Sequence, residues 1–186
     1  MKKTLCSLIL TFSILLCGCG ESSKAEETYA LNLNSVATEM LGGAALSEYL
    51  CNKTSQVWYN AIYDKTNTET IIFVKDADGD GNVDFNDALT NLYAFEAIVD
   101  IVDKLKENKQ TVDELMKELA TPPEKYATCY STITELYKTY STFTSLAIQP
   151  TGSYNSYTED FKKLDSDFNS TYDLIKTQLP DVTKEG

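Results

Sequence analysis

The chain has 186 residues, with 28 acidic side chains against 16 lysines, no arginine and no histidine, for a net charge of −12. A surface so acidic and without guanidinium groups is repelled by phosphate backbones and by anionic lipid, which excludes nucleic-acid binding and flat adsorption to a membrane. The missing histidines remove serine and cysteine nucleophiles paired with a histidine base, and Cys51 with Cys129 cannot alone close a zinc site. In chain order the first element is Met1-Lys2-Lys3, then an apolar run from Leu8 to Leu16. A membrane span needs about 20 apolar residues, roughly twice this run, so the segment reads as an export signal.

Leu16-Cys17-Gly18-Cys19 closes that signal. It resembles the lipobox of bacterial lipoproteins, in which a leucine and two small residues precede the cysteine that receives lipid. The resemblance implies a signal peptide over 1–18, lipidation of Cys19, and attachment to the outer face of a cell membrane. Cleavage there removes Lys2 and Lys3 and takes the charge from −12 to −14. Residues 19–33 are expected to be a polar lipidated tether, 34–180 a helical bundle domain and 181–186 a tail. The Lys, Asn, Thr and Tyr bias suggests a low-GC Gram-positive host.

From Asn34 to Lys65 the residues Val36, Met40, Ala44, Cys51, Val57, Trp58 and Ile62 recur at helical spacing, with Ser47 and Thr54 filling the intervening steps. Gly42-Gly43 predicts a bend or a close helix contact. Thr70-Ile71-Ile72-Phe73-Val74 is β-branched and apolar, and without a partner strand it reads as a buried extended arm. A second helix starts near Asp84 or Asn86, with Phe85, Leu89, Leu92, Phe95, Val99, Val102 and Leu105 on one face. Thr111-Val-Asp-Glu114 reads as a capping box that starts a further segment, which Pro122-Pro123 ends. Tyr126, Cys129 or Tyr130, Ile133, Leu136, Tyr140, Phe143 and Ala147 mark the next inner face. Gln149 to Ser153 is a turn, and Tyr157, Phe161, Leu164, Phe168, Tyr172, Ile175 and Leu179 mark the last. The expected fold is all-α, an antiparallel four-helix bundle with an irregular arm and loop between the first two helices.

One stretch carries metal chemistry. Asp76, Asp78, Asp80, the Asn82 carbonyl, Asp84 and Asp87 fall at positions 1, 3, 5, 7, 9 and 12 of a calcium loop. Calcium takes about six to eight oxygens, and Gly81 and Val83 stand where such a loop needs a sharp turn and a central apolar residue. With Asp87 last and Ala88-Leu89 opening a helix, the stretch resembles one calcium repeat of a dockerin module, an EF-hand-like unit, over Asp76 to Phe95. Dockerins carry two repeats and this chain has one, so the resemblance implies a calcium clip rather than cohesin binding. A metal-free reading fits the same residues: an acidic turn whose Asp84 or Asn86 caps the following helix.

Cys51 and Cys129 each fall on an apolar helix face, where a disulfide and two buried free thiols fit equally well. Tyr126, Tyr130, Tyr137 and Tyr140, with Tyr154 and Tyr157 across the turn, are expected to give one end a phenolic surface suited to a protein or glycan partner; core placement with the hydroxyls reaching solvent is the other reading. The Leu115 to Pro123 block, the Tyr-rich helix and the Pro150 turn resemble small uncharacterised helical lipoproteins of Gram-positive bacteria. The functional expectation is a lipid-anchored extracytoplasmic binding protein with a structural calcium loop, not an enzyme. The alternative is a metal-free structural or accessory envelope lipoprotein, protective or immunity-type. A carboxylate-based hydrolase ranks last.

Overall fold

A computed structural model describes residues 19–64, 66–76, 78–79, 81–182, with side chains from Ser23 onward. The signal segment, Lys65, Ala77, Asp80 and residues 183–186 lie outside it, as do the Cys19 side chain and the rest of the lipobox. Six α-helices follow in order: α1 (Cys19–Ile62), α2 (Ile71–Val74), α3 (Phe85–Ala94), α4 (Glu96–Glu118), α5 (Ala127–Ile148) and α6 (Tyr154–Lys176). Among the described residues there is no strand; Lys75 and Asn82 form an isolated antiparallel bridge. The expected all-α bundle is present. Its four long members run up, down, up and down as α1, α3 with α4, α5 and α6.

The 44-residue α1 is the axis, packed against every other α-helix of the fold. It starts well before Asn34: residues 19–33 are helical, and Tyr29, Ala30 and Leu33 are buried. The helix expected from Asn34 thus begins at Cys19, because those apolar side chains continue the buried stripe that Val36, Met40 and Ala44 carry onward. Asn34 ties this end to the C-terminal segment by donating to the Pro180 carbonyl at 3.0 Å.

The two glycines of α1 behave differently. Gly42 is exposed and nothing stands near it, whereas a Cβ on Gly43 would lie 2.0 Å from Asn108 Oδ1 and 2.7 Å from Tyr140 Cε2. Gly43 therefore marks a close three-helix contact inside a continuous helix. Around it Asn108 of α4 donates to the Glu39 carbonyl at 3.1 Å and to its carboxylate at 2.7 Å, while Tyr140 of α5 donates to Asn108 Oδ1 at 2.7 Å.

The arm and the second helix depart from expectation. Residues 71–74 form one helical turn, not an extended arm, with Phe73 and Val74 buried and Thr70 bonded to buried Asn60 of α1. Burial against α1 and α3 overrides the β-branched propensity of Ile71, Ile72 and Val74. The break in the second helix falls at Phe95, whose extended backbone (ψ 127°) separates α3 from α4 and lets its ring meet Phe73 edge-on at 5.6 Å. This resets the helical register: Leu92, Ile98 and Leu105 are buried, whereas Phe85, Phe95 and Val99 are exposed. Thr111 caps nothing. Its hydroxyl bonds back to the Glu107 carbonyl at 3.2 Å within a continuous α4, and Val112 is buried. Before α5 a 3-10 turn, Glu124–Tyr126, follows Pro123. Ser153 caps α6 in a reciprocal box with Ser156.

The glycines give a paired prediction. Gly43→Ala overpacks the Asn108–Tyr140 contact and should lower stability by about 1–3 kcal/mol. Gly42→Ala relieves only helix entropy and should raise it by about 0.5–1 kcal/mol. Denaturant unfolding of the two variants beside the parent checks both signs.

Candidate functional site

The bundle has two chemically distinct ends. At the first, nearest Cys19, Tyr29 stacks on Tyr126 at 5.7 Å and donates to the Leu119 carbonyl at the end of α4 at 2.9 Å. Lys125 pairs there with Glu26 across the surface. At the opposite end α1 leaves the core, and Tyr59 and Tyr63, one helical turn apart, are 44% and 64% exposed. Tyr154, the first residue of α6, meets both rings, at 5.9 Å and 6.4 Å, while Tyr59 and Tyr63 lie 5.0 Å apart. The three rings make a ridge.

A cleft opens on each side of that ridge. One, of about 360 Å³, has buried Trp58 among its lining beside Tyr63, Phe85, Ser153 and Tyr154. Trp58 stacks nearly parallel on Phe85 at 6.0 Å and meets Tyr154 edge-on at 6.5 Å. The other, of about 370 Å³, shares Tyr154 and is otherwise polar, lined by Tyr59, Asn52, Gln56, Asn67, Asp64 and Glu69. Ser55 also faces this cleft, and its Oγ is buried without a hydrogen-bond partner.

The tyrosines singled out in the sequence do not gather at one end. Tyr126 stands just before α5 and Tyr140 well inside it, about 21 Å further along the axis. Tyr126 is at the first end; Tyr137 donates to Asp113 at 2.7 Å, Tyr140 to Asn108, and Tyr157 is fully buried beside Cys51 and Thr54. Only Tyr154 reaches the exposed ridge. Tyr59 and Tyr63 complete it, and their i, i+4 spacing at the end of α1 was the signal that could have disclosed them.

The acidic loop is closed by its own backbone. Asp76 N–H donates to the Gly81 carbonyl at 3.3 Å, Gly79 N–H to the Asp76 carbonyl at 3.1 Å, and Val83 N–H to the Val74 carbonyl at 3.1 Å. The turn suits glycine: Gly79 has φ +76°, and a Cβ on Gly81 would lie 2.1 Å from Asp76 Oδ2. Asp84 caps α3, its Oδ1 accepting from Asn86 N–H at 2.7 Å and Asp87 N–H at 3.0 Å. Among the described residues, which do not include Asp80, no three His, Cys, Asp or Glu side chains stand together as a metal would need. The donor set Asp76, Asp78, Asn82, Asp84 and Asp87 is all oxygen, as calcium chemistry requires, and Gly81 leaves room for the Asp76 carboxylate to turn into the loop. Phe85, directly after the cap, carries this loop to Trp58.

Cys51 and Cys129 are buried free thiols. Cys129 lies close enough to Tyr29 to act on its ionisation, and Tyr29 and Cys51 are separated along α1 by roughly 33 Å. A disulfide needs Cα atoms within about 7 Å. Burial pushes the Cys51 thiol up to about 11, which leaves little thiolate at neutral pH.

Protein-family models give no match to this chain, and comparison with curated proteins and with solved structures gives none either. Among the described residues no helix is long and apolar enough to cross a membrane.

Two outcomes follow from the buried groups. Desolvation raises Tyr29 from 10 to about 12, and the hydrogen bond to Asp113 raises Tyr137 to about 12. Burial also raises Tyr93, Tyr140 and Tyr157. A raised folded value favours the neutral phenol, so this stability is complete below about pH 10 and is lost as pH rises through about 12. Melting curves from pH 7 upward should be level until about pH 10 and then fall, with helical circular dichroism lost as buried tyrosinate appears. Separately, Cys51 and Cys129 should resist iodoacetamide in the native protein and alkylate fully in guanidinium without reductant, as read by intact mass; a disulfide would leave both unmodified.

Proposed function

We propose that this chain is a lipid-anchored protein of the outer face of a bacterial membrane that works by binding, with the Asp76–Asp87 loop as a structural calcium clip. The observation that carries the reading is the polarity of the bundle. Cys19, the lipid acceptor, begins α1, and the exposed aromatic ridge at Tyr59 and Tyr63 stands near its other end. At ~1.5 Å per residue those points are about 60 Å apart. Lipid on Cys19 would hold one end at the membrane and present the ridge and clefts outward. The mature charge of −14 keeps the bundle off anionic lipid, so the attachment depends on the acyl chains.

The calcium part has chemical support: five aspartates within twelve residues repel one another without a cation. When bound, calcium would neutralise them and pin the arm to α3, with Asp76, Asp78, Asp80, Asp84, Asp87 and the Asn82 carbonyl as its oxygens. Asp84 as a helix cap favours a second reading, in which the loop is an acidic turn that needs no metal and the protein is a structural or accessory envelope lipoprotein. The cap by itself contributes about 0.5–2 kcal/mol.

Two measurements test these statements. In cells, Cys19→Ser should move the protein from the membrane fraction to the soluble extracytoplasmic fraction; retention of acyl label on that variant rejects the anchor. By calorimetry, calcium should bind saturably and Asp78→Ala with Asp80→Ala should abolish it. Calcium at tenfold its Kd should then add about 1.4 kcal/mol of stability. Absence of heat and of a melting shift at about 5 mM calcium, above the range of extracellular modules, leaves the capped turn.

A further inference from the structure

The chemistry of the two clefts narrows what the aromatic end can hold. Its rings already touch one another, with centroids 5.0, 5.9 and 6.4 Å apart, so no cage remains between them for an onium group. What they offer is outer faces. Asp64 and Glu69 line the polar cleft, which opposes anionic polymers. The remaining polar groups are planar amides and hydroxyls. The side-chain amides of Asn52 and Gln56 have no hydrogen-bond partner within the described protein, nor do the hydroxyls of Tyr59, Tyr63 and Tyr154. A pyranose combines an apolar C–H face with a rim of hydroxyls that both donate and accept. The ring face meets the electron-rich face of an aromatic side chain, and the rim meets amides and carboxylates.

Size points the same way. Each cleft lies at the lower end of the ~300–1,000 Å³ common for small-ligand sites, and the shared Tyr154 wall joins two of them. A stable protein partner would need about 800 Å² of complementary surface on this side, with a dry apolar centre. Here the exposed apolar area is the ridge of hydroxyl-bearing rings with only Ile62 and Phe85 beside it, and amides stand on the other flank. We propose that the aromatic end is a saccharide-binding site for chains of uncharged hexoses. One sugar ring stacks in the Trp58 cleft against Tyr63 and Phe85. A neighbouring unit crosses Tyr154 and places its hydroxyls on Asn52, Gln56 and Asp64. This assignment rests on the outward-facing binding role given above and names its ligand.

Trp58 is the single tryptophan of the chain and belongs to the lining of the first cleft, so its fluorescence reports occupancy directly. The full-length protein is titrated with cellohexaose and mannohexaose, with hyaluronan as the anionic control. A saturable change with at least one neutral hexasaccharide, at a Kd of about 0.1–1 mM, is expected, with no response to hyaluronan. Tyr63→Ala should weaken binding at least about tenfold, whereas Tyr63→Phe retains the stacking face and should bind within about twofold. Tyr63 is so exposed that neither change should alter the circular dichroism. Tyr154→Ala, at the start of α6, should act as Tyr63→Ala does. No response to either hexasaccharide at about 10 mM, well above the expected Kd, overturns the proposal. So does a response to casein peptides that Tyr63→Ala removes while sugars leave it unchanged. Either result with Cys19-dependent membrane attachment intact rejects the ligand and leaves the anchored binding role standing.

Discussion

The close approach of three helices at Gly43 is the constraint on which the bundle depends. Only a residue without a Cβ lets α1 come so near Asn108 of α4 and Tyr140 of α5. The proximity in turn makes the polar layer possible, since Asn108 spans from the Glu39 backbone and carboxylate to the Tyr140 hydroxyl. Asn108 and Glu39 are half-buried and Tyr140 buried, and each has its partner, so removing Asn108 would leave the Tyr140 hydroxyl unsatisfied at a cost of about 1 kcal/mol or more. The layer thus locks the axial register of α1 against α4 and α5, which apolar contacts, being non-directional, do far less sharply.

Everything outside the centre takes its place from that register. Tyr93 extends the lock toward the aromatic end, its hydroxyl placed between Thr54 at 2.9 Å and the Ala147 carbonyl at 2.7 Å, and so ties α3 to both α1 and α5. The Phe95 break follows from the same packing, because α3 must follow the arm held by Asn60, Thr70 and Phe73 while α4 follows α1. At the near end Tyr29 does the corresponding work on the carbonyl of Leu119, which caps α4.

The acidic loop and the aromatic cleft meet at Phe85. Asp84 fixes the first turn of α3 and Phe85, the next residue, stacks on Trp58, so the backbone of the loop decides where one wall of the cleft stands. The site is therefore built from α1, the loop and the first turn of α6, three segments that are remote in sequence. Its rings are held by contact with one another and with Trp58, which restricts their rotation before any ligand arrives and lowers the entropy lost on binding.

Periodicity of three and four was enough to locate the inner faces of α1, α5 and α6, because an amphipathic stripe is a local property that each residue reports for itself. Val36, Met40, Cys51, Ile133, Leu136, Phe143, Tyr157, Phe161, Phe168 and Ile175 are all buried as their spacing required, whereas Ile62, expected on the same stripe of α1, is exposed where the helix ends. The turn at Gln149 to Ser153 and the Asp84 cap were legible for the same reason, since their chemistry lies within a few residues. The break at Phe95, the helical turn at 71–74 and the continuity of α4 through Thr111 were not, because each is decided by a contact with a distant residue that outweighs local propensity. The tyrosines illustrate the division most clearly. Their phenols announced themselves in composition, but a shared helix face says nothing of position along the bundle axis. Sequence by itself determined which surfaces of each helix turn inward. Only the tertiary structure decided that Tyr59 and Tyr63 meet Tyr154 and that Trp58 meets Phe85, because adjacency between elements depends on how the helices are stacked end to end.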